Sequence, residues 1–124
     1  MPRIYLAGPL MNGHTTSAEV GYENAKKVFT IAEQLMQKGW SPYIPHLSIY
    51  MWDHIKQTQH RDIPWEEWMQ LDSAFINVCQ AIFFVGHSKG ADRELKYAID
   101  HDLKVYVNID EVPKVPAARD LLEE

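Results

Sequence analysis

The stretch Ala81-Ile82-Phe83-Phe84-Val85-Gly86-His87-Ser88-Lys89-Gly90-Ala91-Asp92-Arg93-Glu94-Leu95-Lys96-Tyr97-Ala98-Ile99-Asp100-His101 decides the fold. Its first five residues are continuously apolar, the pattern of a strand buried on both faces. Gly86 to Gly90 contains two glycines and a serine, which reads as a tight turn. Ala91, Leu95, Ala98 and Ile99 then recur at helical spacing to about His101. A buried strand running through a short turn into an amphipathic helix is half of a βαβ unit, so parallel strands are expected beside it.

Working outward, three more β-rich runs appear: Arg3–Ala7, Ser41–Pro45 and Lys104–Asn108. Between Glu19 and Lys38, Tyr22, Ala25, Val28, Phe29, Ala32, Leu35 and Met36 form a helical stripe, with Gly39 where a C-terminal cap belongs. Between Pro64 and about Cys79 the stripe is Trp65, Trp68, Leu71, Phe75, Ile76 and Cys79. Strands alternating with helices predict an α/β fold: a small flavodoxin- or Rossmann-like three-layer domain. The parallel sheet is expected to have about 4–5 strands in the order 2-1-3-4. Pro45–Ile63 fits neither period and reads as a loop with a short helix over one end of the sheet. The chain reads as a single domain over 1–124, with a tail from Asp110 that is mobile or docks on a partner subunit.

The 124 residues include 12 Lys plus Arg and 17 Asp plus Glu, a net charge of −5. Apolar residues make up 46% and charged residues 23%, which excludes disorder, collagen and coiled coil. No run reaches the ~18–20 apolar residues of a membrane span, and Met1-Pro2-Arg3-Ile4 does not open a signal peptide. With a single cysteine, Cys79, the expected compartment is cytoplasmic and no disulfide framework forms. The acidic balance argues against duplex nucleic acid, whereas a small nucleotide can bind through backbone amides. The six histidines, at 14, 46, 54, 60, 87 and 101, form no helical pair or H-x-H triplet, and the G-x-G-x-x-G dinucleotide fingerprint is absent, so neither metal nor other cofactor is expected. Gly86-His87-Ser88-Lys89-Gly90 spells a serine-nucleophile elbow, but no Asp-then-His order supports it.

In an open parallel sheet a ligand sits beyond the carboxyl ends of the strands where strand order reverses, here between the first and third. The loops there are Gly8–Ser17, with Gly8, Pro9, Asn12 and His14, and Gly86–Gly90, with Gly86, Ser88, Lys89 and Gly90. The second suits a phosphate or sugar hydroxyl; it is equally a plain turn with Ser88 as helix N-cap. Glu94 lies three residues after Ala91 and four before Ala98, on the inward stripe of its helix. Asp72 lies four after Trp68 and four before Ile76, within the other stripe. A buried carboxylate is costly unless paired, so two inward acids beside a glycine loop suggest glycosidic-bond chemistry. One would attack the anomeric carbon and the other handle the proton. Tyr50, Trp52, Trp65 and Trp68 either offer a stacking face for a nucleobase or pack the protein.

Ile4-Tyr5-Leu6-Ala7-Gly8-Pro9 resembles the opening strand and loop of the nucleoside 2-deoxyribosyltransferase family. Ser88-Lys89-Gly90-Ala91-Asp92-Arg93-Glu94-Leu95-Lys96-Tyr97-Ala98 resembles its S-x-G-x-x-x-E-x-x-x-A signature, and the Asp72 helix leading into Cys79-Gln80-Ala81-Ile82 resembles its acid helix and third strand. The likeness runs over about residues 3–108. It implies cleavage or transfer of the N-glycosidic bond of a nucleoside or (deoxy)nucleoside 5′-monophosphate, with retention through a covalent glycosyl-enzyme, in a homodimer or higher oligomer. It makes Glu94 the nucleophile, Asp72 the acid assisting the base and Tyr5 the tyrosine that aligns the nucleophile, with Gly8 and Gly90 admitting substrate to the backbone. Transferases of the family tend to carry Asp six residues before the nucleophile; Ser88 here resembles the 5′-monophosphate N-hydrolase branch, where the serine helps bind phosphate. That branch's first-loop arginine is replaced by Asn12-Gly13-His14, which leaves phosphate binding to Ser88, Lys89, backbone amides and His14. Asp92, next to Arg93, departs from the pattern and would oppose the charge on Glu94 or bind a hydroxyl. Two other readings stay open: a non-catalytic nucleotide-binding sensor on the same fold, and an NAD glycohydrolase.

Overall fold

The computed structural model describes residues 2–10, 18–59 and 63–116. Four parallel strands, β1 (Arg3–Ala7), β2 (Ser41–Tyr43), β3 (Ala81–Phe84) and β4 (Lys104–Tyr106), form one sheet in the order β2-β1-β3-β4. The fold class and strand order are those expected. β2, β3 and β4 stop one or two residues short of the predicted Pro45, Val85 and Asn108.

The pleat divides the core into two layers. Ile4, Leu6, Ala81 and Phe83 leave the sheet on one face and meet Val28, Ala32 and Leu35 of α1 (Ala18–Gln37), with Trp40 and Val112. Tyr5, Ala7 and Ile82 leave on the other and meet Ile76 of α3 (Trp65–Ile76) and Ala91 and Ala98 of α4 (Lys89–Asp100). The register places Tyr5 beside Ile82 on β3 and beside Tyr43 on β2, so all three share the α3–α4 face.

Three sequence expectations are corrected. Pro45–Ile63 is mainly helix: a 3-10 turn at Pro45–Leu47 runs into α2 (Ser48–Gln59), with residues 60–62 outside those described. α2 gave no periodic signal because it buries only Ile49 and lies on the surface. Local contacts support it, with Gln57 Nε2 donating to Asp53 at 3.0 Å and Lys56 Nζ 4.7 Å from the Trp52 ring centroid, and Tyr22 of α1 donates to the same carboxylate at 3.0 Å.

The second correction is the α3 stripe. Met69 and Ile76 are its buried residues; Trp65, Leu71 and Phe75, all on the stripe read from the sequence, are exposed. Cys79 is buried but lies beyond the end of the helix, its thiol donating to the Phe75 carbonyl at 3.3 Å. Ile99 of α4 is likewise exposed, and Glu94 occupies the buried stripe instead.

The third concerns the tail. Through residue 116 it docks on its own chain: Lys38 Nζ donates to the Val112 carbonyl, Trp40 Nε1 to that of Pro113, and the Val115 amide to that of Lys38, at 2.7–2.9 Å. Residues 117–124 lie outside those described. Among the described residues no helix is long and apolar enough to cross a membrane.

Candidate functional site

Tyr5 occupies the middle of β1, fully buried, and faces the α3–α4 layer. Its hydroxyl donates to Glu94 Oε2. Glu94 stands between Ala91 and Ala98 on the buried stripe of α4 and is 6% exposed. Asp72, half-buried on α3, acts on both groups through its charge. The structure therefore brings the sequence-predicted Tyr5 and Glu94 together, although 89 residues separate them, and sets Asp72 within electrostatic reach of both.

The electrostatics follow from dehydration. Burial pushes the Glu94 carboxyl up to about 8; the Tyr5 hydrogen bond pulls it down and the charge of Asp72 adds to the rise. Burial alone pushes Asp72 up to about 7. The Tyr5 phenol is held far above its ordinary value by burial first, then by Glu94 and Asp72, so it remains a proton donor. Both carboxyls are thus raised from the ordinary carboxylate range towards neutral pH, which suits them to exchanging a proton with a bound ligand.

Two residues of this region were missed from the sequence. Tyr43, which ends β2, is sandwiched between Tyr5 (centroids 5.5 Å apart, planes at 24°) and Phe75 (4.2 Å, 10°). Burial, then Asp72 and Glu94, push its phenol up to about 12. His46 is buried just beyond β2, with its Nε2 3.0 Å from the Gly8 carbonyl. A carbonyl only accepts, so Nε2 carries the hydrogen and Nδ1 is a lone-pair acceptor without a partner among the described residues. Burial lowers its basicity, consistent with a neutral ring. The signal was available in principle: polar side chains at or just past the end of a parallel strand lie at the ligand-binding edge.

The loops behave less uniformly. Gly8 is needed for packing: a Cβ there would lie 2.9 Å from Val85 Cβ, where the exits of β1 and β3 cross. Pro9 and Gly86 face each other across the same gap. Ser88 is the N-cap of α4, its hydroxyl accepting from the Ala91 amide at 3.0 Å, which fulfils the simple turn reading. The hydroxyl hydrogen is still free to be donated to an anion. Lys89 folds back, Nζ 5.0 Å from the Trp65 ring centroid, beside Gly90, which faces Met69 and Trp65. Asp92 does not oppose Glu94: it is exposed and paired with His87 at 2.7 Å, while Arg93 grips Glu66 through two bonds of 2.6 and 3.2 Å. Asn12 and His14 lie outside the described residues. Among the described residues no three His, Cys, Asp or Glu side chains cluster as metal ligands.

Replacing Ser88 by alanine removes the cap and is expected to lower stability by about 1 kcal/mol, read from urea unfolding. Aspartate at the same position should restore most of the loss, because it caps equally well. Failure of aspartate to do so would show that the hydroxyl does something other than cap.

A search of curated proteins finds no match. The family described as "Domain of unknown function (DUF4406)" matches residues 2–107, a span that takes in all four strands and the Tyr5, Asp72 and Glu94 positions, and the chain belongs to that family.

Proposed function

We propose that the protein cleaves or transfers the N-glycosidic bond of a nucleoside or (deoxy)nucleoside 5′-monophosphate. The observation that carries this reading is the buried Tyr5–Glu94 hydrogen bond placed within electrostatic reach of Asp72. The resemblance to nucleoside 2-deoxyribosyltransferases supports it, and Ser88 tilts it towards a 5′-monophosphate.

In this mechanism an ionised Glu94 oxygen attacks C1′ while the C1′–N bond breaks. The electron pair of that bond goes to the base, and the Asp72 carboxyl delivers its proton there, so a neutral base departs. Tyr5 holds Glu94 in line. A water, or a second base, then attacks C1′ of the glycosyl ester. Asp72 takes the proton, the ester oxygen keeps its electron pair, and both carboxyls return to their starting states with retention at C1′.

The test is incubation with nucleosides and their 5′-monophosphates, with chromatography for free base. Equal release by wild type and Glu94→Ala would remove the nucleophile from this account. A sensor that binds nucleotide is recognised by calorimetric binding without release, and an NAD glycohydrolase by nicotinamide release from NAD.

The pH dependence is specific. Attack needs Glu94 ionised, so kcat/KM falls on the acid side; base departure needs Asp72 protonated, so it falls on the alkaline side. Burial places Glu94, at about 8, above Asp72, at about 7, so the productive arrangement is a minority form and the profile is a narrow bell between those values. Asp72→Asn should lower the rate by roughly 10²- to 10⁴-fold and abolish the alkaline limb. With Asp72 no longer titrating, the acid limb becomes that of Glu94 alone and should move to higher pH, from about 7 towards 8. A surviving bell in Asp72→Asn would mean another group supplies the proton.

A further inference from the structure

We propose that Tyr43 is a second hydrogen-bond donor to the departing base, working beside Asp72; this rests on the glycosidic reading above. The strand register sets Tyr43 directly beside Tyr5, so both rings leave the sheet on the same face. Rings on either side, Tyr5 at 5.5 Å and Phe75 at 4.2 Å, fix the plane of Tyr43 and restrict the position of its hydroxyl.

The two phenols are then used differently. Tyr5 is fully buried and its hydroxyl is consumed by Glu94. Tyr43 is half-buried, and no hydrogen bond from its hydroxyl is present among the described residues. Asp72 and Glu94 both act on that hydroxyl through their charges, Asp72 the more strongly, and with burial they keep it protonated across the working pH range. The result is a positioned, unspent O–H donor within electrostatic reach of the proposed acid. A base leaving C1′ accumulates negative charge over its ring nitrogens and carbonyl oxygens. Asp72 can neutralise one atom by proton transfer; a phenol that keeps its proton can stabilise a second acceptor of the same base by hydrogen bonding. The site therefore favours bases with two acceptors near the glycosidic bond.

Tyr43→Phe keeps the ring stack and removes only the donor. It is expected to slow release of an unmodified purine from its 5′-monophosphate by roughly ten- to a hundredfold. Release of 7-methylguanine, which departs neutral without gaining a proton, should be nearly unchanged. Equal losses on both substrates would overturn the proposal, because they would assign Tyr43 to holding Tyr5. No loss on either would also overturn it.

Calorimetric binding of free hypoxanthine separates this inference from the reaction itself. If wild type binds the base but releases none from nucleotides, the proposed function falls. Tyr43 is then judged by binding alone: weaker binding in Tyr43→Phe supports the contact, and unchanged binding removes it. If wild type neither binds nor releases a base, both readings fall together.

Discussion

Glu94→Gln is expected to abolish base release and, at pH 8, to make the protein more stable than wild type. The first effect is loss of the nucleophile, with a fall of roughly 10³-fold or more. The second follows from linkage. Burial raises the Glu94 carboxyl from an ordinary 4.5 to about 8, so the folded state holds this proton more tightly than the unfolded chain does. Its favourable contribution is complete below the unfolded value of 4.5 and is lost progressively as pH rises to about 8. Above that, folding keeps an ion dehydrated at full cost. Glutamine has nearly the same shape, accepts the Tyr5 hydrogen bond through its amide oxygen and cannot ionise. The expected gain is on the order of 3 kcal/mol at pH 8, shrinking towards zero near pH 4, read from urea unfolding at both ends of that range. A variant no more stable than wild type at pH 8 would show that Glu94 is hydrated or compensated. A residue that weakens its own fold at neutral pH is explained by chemistry rather than packing, which is why stability and turnover should move in opposite directions here.

Much of this site could be read in the sequence because it rests on local periodicity. β3, its turn and α4 are continuous in the chain, and Glu94 falls on the stripe of Ala91 and Ala98 by spacing alone. α3 was harder because it carries two apolar rows. Met69 and Ile76 are buried while Leu71 and Phe75 are exposed, and periodicity cannot say which row faces the sheet. Asp72 lies within electrostatic reach of Glu94, although Leu71 and Phe75, read on the same stripe, face outward. Tyr43 and His46 were passed over for a different reason. β2 is three residues long with a proline in its middle, and the meaning of Tyr43 comes from lying opposite Tyr5 in the register, a long-range fact. α2 buries one residue, so its helical character lies in local bonds and not in a stripe.

Gly39→Ala is expected to produce the largest loss of stability, roughly 3–5 kcal/mol, without touching the site. α1 ends in a Schellman arrangement: the Gly39 amide donates to the Met36 carbonyl and the Trp40 amide to the Leu35 carbonyl, both at 3.0 Å. That geometry holds Gly39 at φ +91°, a conformation that costs alanine about 1–2 kcal/mol. The alanine Cβ would also stand 2.0 Å from the Val115 carbonyl oxygen, so the backbone of the tail must move. Moving it breaks the Val115 amide bond to Lys38 at 2.7 Å and strains the Trp40 indole bond to Pro113 at 2.8 Å. Trp40 and Val112 belong to the core on the α1 face, so this displacement reaches the interior and not only the surface. Urea unfolding measures the loss, and faster proteolysis after Lys114 would locate it in the tail. A loss near 1 kcal/mol with an intact tail would mean that only the positive-φ strain is felt and that the residues after Val112 yield without cost. The two substitutions thus probe opposite faces of one sheet: alanine at Gly39 should weaken the fold while leaving the Tyr5–Glu94 pair in place, and glutamine at Glu94 should strengthen it while removing the chemistry.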